Sequence, residues 1–458
     1  MSTRIFFAII IMLFVFYPEG YNQEKKIWTL QDCVSYAFEN NIRIKQQGLN
    51  TKFNENTLKQ SKINLAPNVN AGASHSYTQG RSLNEATYLY TTQDQQASNF
   101  NINSSVTLFN GLQQKNTIKQ NEYNLFASIQ DIEKLKNDIS VNIALAYLQI
   151  LLNKELLEVT NNQMEITNQQ IVRTGKLVDA GSLPEGNLLE INAQAAREEM
   201  QFVSSQNQLD ISYLTLTQIL DLDSTGGFNI EMPDLSSIID EEYIISPVDL
   251  VFREALNIMP EIKGAEYRLK SSEQDLKIAK GSRSPRFSLS GSWGTVYSDA
   301  RSRYFIDPGT GNISQEFYPF WDQLDDSRNW GVTLGMSIPI FNGWMVNTGI
   351  SNARLNIENF QYELKNTQNL LYKEIQQAYA DATAAMKKFR ASEKAVTSME
   401  EAFRYTEQKF NVGLLNTVDY NTSKNQLTQA QSELLQAKYE YVFYINVLEF
   451  YKGKPIDF

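Results

Sequence analysis

The sequence is short of the residues that most chemistry needs. Its 458 positions hold one cysteine and one histidine. A Cys/His zinc site and a disulfide framework are thereby excluded, and any histidine-dependent triad would rest on His75 alone. Proline and glycine are also scarce, at 11 and 22 residues, which leaves room for long uninterrupted elements. Positive charge is in deficit: 41 basic against 52 acidic residues give a net charge of -11, the wrong sign for a nucleic-acid binder. No window after Tyr17 reaches 18 consecutive apolar residues, and mean hydropathy is -0.38, so helices that cross a membrane are not expected. Lys452-Gly453-Lys454 meets Pro455 where a nucleotide-binding loop needs a hydroxyl. With no acid/base pair, nucleophile or ligand cluster in view, the expectation is a non-enzyme without cofactor or metal.

What is present begins with a targeting signal. Arg4 precedes an apolar stretch from Ile5 to Tyr17, closed by Pro18-Glu19-Gly20. At about 13 residues the stretch is shorter than the ~20 that span a bilayer, and it suits a secretory signal over residues 1–22. Cys33 lies beyond it, inside an amphipathic segment with Leu30, Val34 and Ala37, and reads as buried packing. The protein is expected to be exported and not lipid-anchored.

An internal duplication organises the remainder into two repeats, 23–245 and 246–458. Pro67 overlies Pro285, Ala37 overlies Ala255 and Ile44 overlies Ile262, all at an offset of 218 residues. Phe109-Asn110-Gly111 overlies Phe341-Asn342-Gly343 at an offset of 232, and Ala146-Tyr147 and Gly181 find Ala378-Tyr379 and Gly413 at the same step. The second repeat therefore carries 14 extra residues between its proline and its Phe-Asn-Gly.

Each repeat reads as helix, two strands, long helix, turn and returning helix. No glycine or proline interrupts Leu112 to Thr174 or Ile350 to Val412, and the returning segments 187–225 and 414–452 are equally free of both. Ile139, Ile143, Ala146 and Ile150 step by coiled-coil spacing, with a second stripe at Val141, Leu145, Leu148 and Leu152. Two stripes suit a helix packed between two neighbours, as in the wall of a tube.

The strands alternate. Trp330, Val332, Leu334, Met336, Ile338 and Ile340 interleave with Gly331, Thr333, Gly335, Ser337 and Pro339; Phe287, Leu289, Gly291 and Trp293 interleave with serines and Gly294. In the first repeat Phe100, Ile102, Val106 and Leu108 alternate with Asn101, Asn103, Ser105 and Thr107, and 68–77 is a weaker version. An apolar outer face with a small polar inner one is what a membrane barrel requires. Trp293, Trp330 and Tyr297 read as membrane-interface aromatics. Four strands cannot close a channel and open edges are not tolerated in lipid, so several chains are expected to share one barrel. The stretches 78–98 and 298–328 read as polar surface loops, with Asp322, Asp325 and Asp326 a solvated face and His75 on the outward register of the first strand.

This order of signal, duplicated helix–hairpin–long helix–helix unit and Phe-Asn-Gly resembles the TolC family of outer-membrane efflux proteins across essentially the whole mature chain. The most specific motif is Phe410-Asn411-Val412-Gly413-Leu414, with the looser copy Val178-Asp179-Ala180-Gly181-Ser182. The resemblance implies a fold that is mostly α with a membrane β-barrel contribution: a homotrimer with a 12-stranded barrel in outer-membrane lipid, continued by a periplasmic coiled-coil tube. It implies a passive exit duct of a tripartite efflux or type I secretion system. The energy would come from an inner-membrane pump of RND or ABC type, reached through a periplasmic adaptor. On this resemblance Val412, Gly413 and Leu414, with Ala180, Gly181 and Ser182, form the adaptor-docking tip. Asp419 matches an acidic position at the narrow aperture; Thr422 stands where a second acid is common, and Glu190 of the first repeat, beside Asn187, is the substitute. The rival reading is a periplasmic coiled-coil adaptor or scaffold that forms no channel, which would not need aromatics beside an apolar band.

Overall fold

The computed structural model describes residues 27–83, 88–222, 226–235, 245–309 and 311–458. The proposed signal segment 1–22 lies outside them. In chain order the elements are β1 (Ile27–Trp28), α1 (Leu30–Asn40), α2 (Ile42–Ile63), β2 (Asn68–Leu83), β3 (Tyr90–Asn110), α3 (Gln113–Asp179), α4 (Glu185–Ile219) and β4 (Asn229–Ile230). There follow α5 (Val248–Ile258), α6 (Pro260–Gly281), β5 (Arg286–Ser298), β6 (Ser302–Ile306), β7 (Ile313–Phe317), α7 (Phe320–Asp326), β8 (Asn329–Ser337), α8 (Met345–Asn411) and α9 (Thr417–Tyr451). The chain is mostly helical. α1 and α2 recur as α5 and α6 after 218 residues, and α3 and α4 recur as α8 and α9 after 232.

α3 and α8 are each 67 residues long, about 100 Å at 1.5 Å per residue. No helix among the described residues is long and apolar enough to cross a membrane. The first helix of each repeat is broken in two, at Asn41 and at Met259. Asn41 makes the break tolerable: its Oδ1 accepts from the amides of Arg43 and Ile44 at 3.0 and 3.3 Å, supplying partners that a new helix start lacks.

The chain divides into two compact units that cut across the repeats. One comprises 1–46, 134–259 and 371–458; the other comprises 47–133 and 260–370. In the first, Ile139, Ile143, Ala146 and Ile150 are all buried, as their spacing requires. The second stripe divides, since Leu148 is buried while Leu145 is 49% exposed. Cys33 is fully buried beside this core. Two short strands missed in the sequence, β1 and β4, pair in parallel, and the Tyr147 hydroxyl donates to the carbonyls of Trp28 and Glu231 at 3.1 and 2.8 Å.

The second unit holds an antiparallel four-stranded sheet in the order β2-β3-β5-β8. Here three expectations are corrected. First, 78–98 is not a loop: β2 runs to Leu83 and β3 starts at Tyr90, because Thr, Gln and Ser tolerate a solvated ribbon as well as a coil. Likewise 298–328 contains β6, β7 and α7. Second, a bulge after Thr107 shifts the register, so Phe109 rather than Leu108 stands opposite Phe287, with ring centroids 6.3 Å apart. Third, β8 ends at Ser337; Pro339 has no amide hydrogen to continue the ladder. The Phe-Asn-Gly of the first repeat also finds its reason in this unit, whereas a β-carbon at Gly343 of the second would meet nothing within 4 Å. Gly111 has φ +69°, and a β-carbon there would overlap the Gly281 carbonyl, so strand and helix ends meet only without a side chain.

Candidate functional site

The sheet has two chemically different faces. Cross-strand register places Ala71, Ile102, Trp293 and Trp330 in one row and Leu289 opposite Leu334 in another. On β8 the face is open: Trp330 is 78% exposed, Val332 66%, Leu334 67% and Met336 60%. Trp293 lies directly opposite Trp330, while Tyr297 packs on Phe320 of α7 with centroids 4.7 Å apart. His75 is exposed on this face and its Nδ1 lies 3.0 Å from the Ser98 hydroxyl.

The opposite face is lined by amides and hydroxyls that bond to one another. Asn68 Oδ1 accepts from the Ser105 hydroxyl at 2.8 Å, Asn103 Nδ2 donates to Asn101 Oδ1 at 2.9 Å, and Arg286 donates to the Thr107 hydroxyl at 3.1 Å. Within the described residues β2 and β8 each have a strand on one side only. An exposed apolar face and two unfinished edges leave the sheet incomplete by itself.

At the far ends of the long helices the chain reverses through two turns of one geometry. Gly181 (φ +70°) donates to the Val178 carbonyl at 2.8 Å and Ser182 donates to Leu177 at 2.9 Å. Gly413 (φ +76°) donates to Phe410 at 3.1 Å and Leu414 donates to Lys409 at 2.9 Å. These paired bonds form a Schellman cap, which needs a left-handed residue at the glycine. Ala180 and Ser182 are exposed, as are Val412 (70%) and Leu414 (75%). The turns are tied together. The Arg173 guanidinium donates to the side chain and backbone carbonyl of Asn411; across the second turn itself, Tyr420 stacks on Phe410 with centroids 4.5 Å apart. Burial, reinforced by the charge of Glu407, pushes the Tyr420 hydroxyl up to about 12.

Asp419 sits in the first turn of α9, exposed, and its amide donates to the Asn416 side chain at 2.8 Å. Glu190 is exposed on α4. Asp326 accepts from the Tyr318 hydroxyl at 2.5 Å and pairs with Arg303 at 3.4 Å, and Asp325 pairs with Arg328 at 2.7 Å.

One cluster escaped the sequence reading. Lys424 of α9, 3% exposed, donates to the Gln163 carbonyl at 2.8 Å, to the Thr167 hydroxyl, and to Glu198 Oε1 at 3.1 Å. Gln194 donates to the same oxygen at 2.9 Å. Loss of hydration pulls the lysine's pKa below its ordinary value, and the Glu198 charge and hydrogen bond oppose that fall. The pair joins α3, α4 and α9 in one buried network. A signal for it existed in the duplication: 232 residues back from Lys424 stands Asn192, and 232 on from Glu198 stands Ala430.

The model of the family described as "Outer membrane efflux protein" matches residues 34–221 and 251–451. Outer membrane protein TolC of Escherichia coli is 25% identical over 327 residues, covering 69% of this chain and 62% of that protein. The matched region thus spans less than two thirds of that relative. Outer membrane efflux protein BepC of Brucella suis is 19% identical over 416 residues, covering 90% and 83%. In fold, crystal structures of CusC superpose with a TM-score of 0.77 at 16% identity, covering 92% of this chain and 91% of that one. VceC, an outer membrane protein from Vibrio cholerae, gives 0.72 at 16% identity, covering 93% and 96%. With both segments of the duplication matched, the chain belongs to the outer membrane efflux protein family and is a protein of the Gram-negative outer membrane.

Proposed function

We propose that three copies of this chain close one 12-stranded barrel, continued into the periplasm by their long helices, and that the assembly is a passive exit duct for efflux or secretion. The observation that carries this reading is the sheet: four strands, an exposed apolar face, a hydrogen-bonded polar face and two unfinished edges. Lipid would cover the first face and the second would line a water path, while β8 of each copy would complete β2 of the next. The relatives' names, an alkaline protease secretion protein and an outer membrane efflux protein among them, support the export direction.

The tip turns are the docking surface for a periplasmic adaptor, with Val412 and Leu414 as the apolar contacts that Gly413 presents. Asp419, with Glu190, rings the aperture. An inner-membrane pump of RND or ABC type supplies the energy. The rival adaptor or scaffold reading leaves the apolar sheet face without an occupant.

Mass measurement in detergent and conductance in planar bilayers test the proposal together. A trimer that conducts is the expected result; a stable folded monomer would exclude it, since the apolar face and open edges would then need no partner.

A further inference from the structure

The far part of the β2–β3 hairpin stands beyond the rest of the sheet. β3 pairs with β5 only from Ala97 to Asn110, whereas its pairing with β2 continues to Leu83 and Tyr90. Residues 77–83 and 90–96 therefore form a two-stranded ribbon. β8 is shorter still, nine residues against sixteen in β2. Where β8 stops, α7 finishes the edge of β5: the buried Gln323 side chain accepts from the Ser298 amide at 3.0 Å and donates to the Tyr318 carbonyl at 2.8 Å. Ahead of α7, β6 and β7 make a second isolated ribbon.

Two-stranded ribbons are marginal in water on their own. Both of these expose apolar side chains: Tyr77, Leu83 and Tyr90 on one, Ile306, Ile313 and Phe317 on the other. The β3 side of the first ribbon is held by its own chain, since the Gln96 amide donates to Asp299 Oδ1 at 2.7 Å and the Asp299 amide donates back to the Gln96 carbonyl at 3.1 Å. The β2 side pairs with no strand of its own chain among the described residues.

We propose that this outer edge of β2, residues 77–83, is covered in the assembled protein by β6, β7 and α7 of a neighbouring copy, which carry the wall past the end of β8. The inference rests on the trimeric barrel proposed above. In that barrel β8 of one copy meets β2 of the next, and Asn68 and Ser337 both lie at the helix-connected ends of their strands. Pairing from that end satisfies nine positions of β2 and leaves the last seven beside the segment that precedes β8. That segment is the β6–β7 ribbon with α7. The outer strand edges and the exposed apolar side chains of the two ribbons are then buried together.

Hydrogen exchange on the full-length protein in detergent reads this edge. Amides of 77–83 that face away from β3 should exchange at least about tenfold more slowly than in an open ribbon. Replacing 302–317 by a Gly-Ser linker should abolish that protection with the trimer mass unchanged. Fast exchange in the wild-type trimer, or protection that survives the replacement, overturns the proposal. Should the linker variant not assemble, disulfide trapping decides: Gln79→Cys is combined in turn with Ile313→Cys, Gln315→Cys or Phe317→Cys in a Cys33→Ala background. Disulfides between copies support the proposal, and their absence from all three overturns it. A wild-type protein of monomer mass overturns both this inference and the barrel reading, and mass is measured first.

Discussion

The two tip turns share a backbone and little else. Gly181 and Gly413 occupy the same left-handed conformation, and both turns close with the same pair of hydrogen bonds. Around them the side chains diverge. Val412 and Leu414 stand where the first repeat has Ala180 and Ser182, and α9 is capped by Asn416 whereas Pro184 gives α4 no side-chain bond. Below the turns, Lys424 replaces the exposed Asn192 of the first repeat. Both repeats keep what the chain needs to reverse direction; the second carries the larger apolar side chains at its turn and the buried Lys424, which pairs with the buried Glu198 of the first. If function followed geometry alone, the turns would be interchangeable; the predictions below ask whether they are.

The largest effect should come from the buried pair. Lys424→Met leaves Glu198 charged, 5% exposed and without its cation, which costs about 3–5 kcal/mol. Asn192→Met, at the matching exposed position, should cost within ~0.5 kcal/mol. Thermal unfolding followed by helical circular dichroism compares the two. The double variant Lys424→Met/Glu198→Leu should recover most of the loss, because Glu198 Oε2 has no hydrogen-bond partner even in the wild type. A double variant as unstable as the single one would mean that Lys424 matters through packing rather than charge.

The glycines come next. Gly413→Val and Gly181→Val each force a β-branched residue to positive φ, at roughly 1–2 kcal/mol. The strain is common to both, since an added β-carbon meets nothing within 4 Å at either site. Transport should be lost with Gly413→Val at normal trimer levels, and largely kept with Gly181→Val. Equal transport by the two variants would remove Val412-Gly413-Leu414 from the docking surface.

Much of this was legible in the sequence for a physical reason. Period-2 alternation from Trp330 to Ser337 and the absence of glycine and proline over the long helices are local signals, and local signals survive without knowledge of partners. The split at Asn41, the bulge beside Leu108 and the β6–β7 ribbon depend on which groups satisfy a freed amide, and nothing in their own residues announces that. The Lys424–Glu198 pair joins positions 226 residues apart. Only its departure from the repeat pattern marked it, and a lone lysine in a helix ordinarily faces water. The proposed docking and aperture residues came from family resemblance; the structure adds their exposure, their caps and the contacts beneath them.

Helix capping offers a smaller contrast. Asn416→Ala removes the acceptor of the Asp419 amide and should cost about 1 kcal/mol. Pro184→Ala removes no such bond and should be nearly silent in the same unfolding measurement. Matching losses would show that the two turns are held by something other than their caps.

The smallest stability effect and the sharpest functional one should meet at Asp419. In the first turn of α9 its carboxylate gains ~0.3–1 kcal/mol from the helix dipole, and alanine returns a few tenths through propensity, so folding should barely change. Three such carboxylates around an aperture behave differently. Two charges ~7 Å apart repel by about 0.6 kcal/mol at the dielectric of water and several-fold more at an effective value near 20. A bound cation relieves that repulsion, so the closed duct should favour cations and be blocked by trivalent ones. Single-channel recording should find both properties weakened in Asp419→Ala. Glu190→Ala supplies the comparison from the first repeat, because its carboxylate lies beyond the first turn of α4 and carries little of the dipole benefit. Block that persists in Asp419→Ala and disappears in Glu190→Ala would move the ring to the first repeat, reversing the assignment of the two turns.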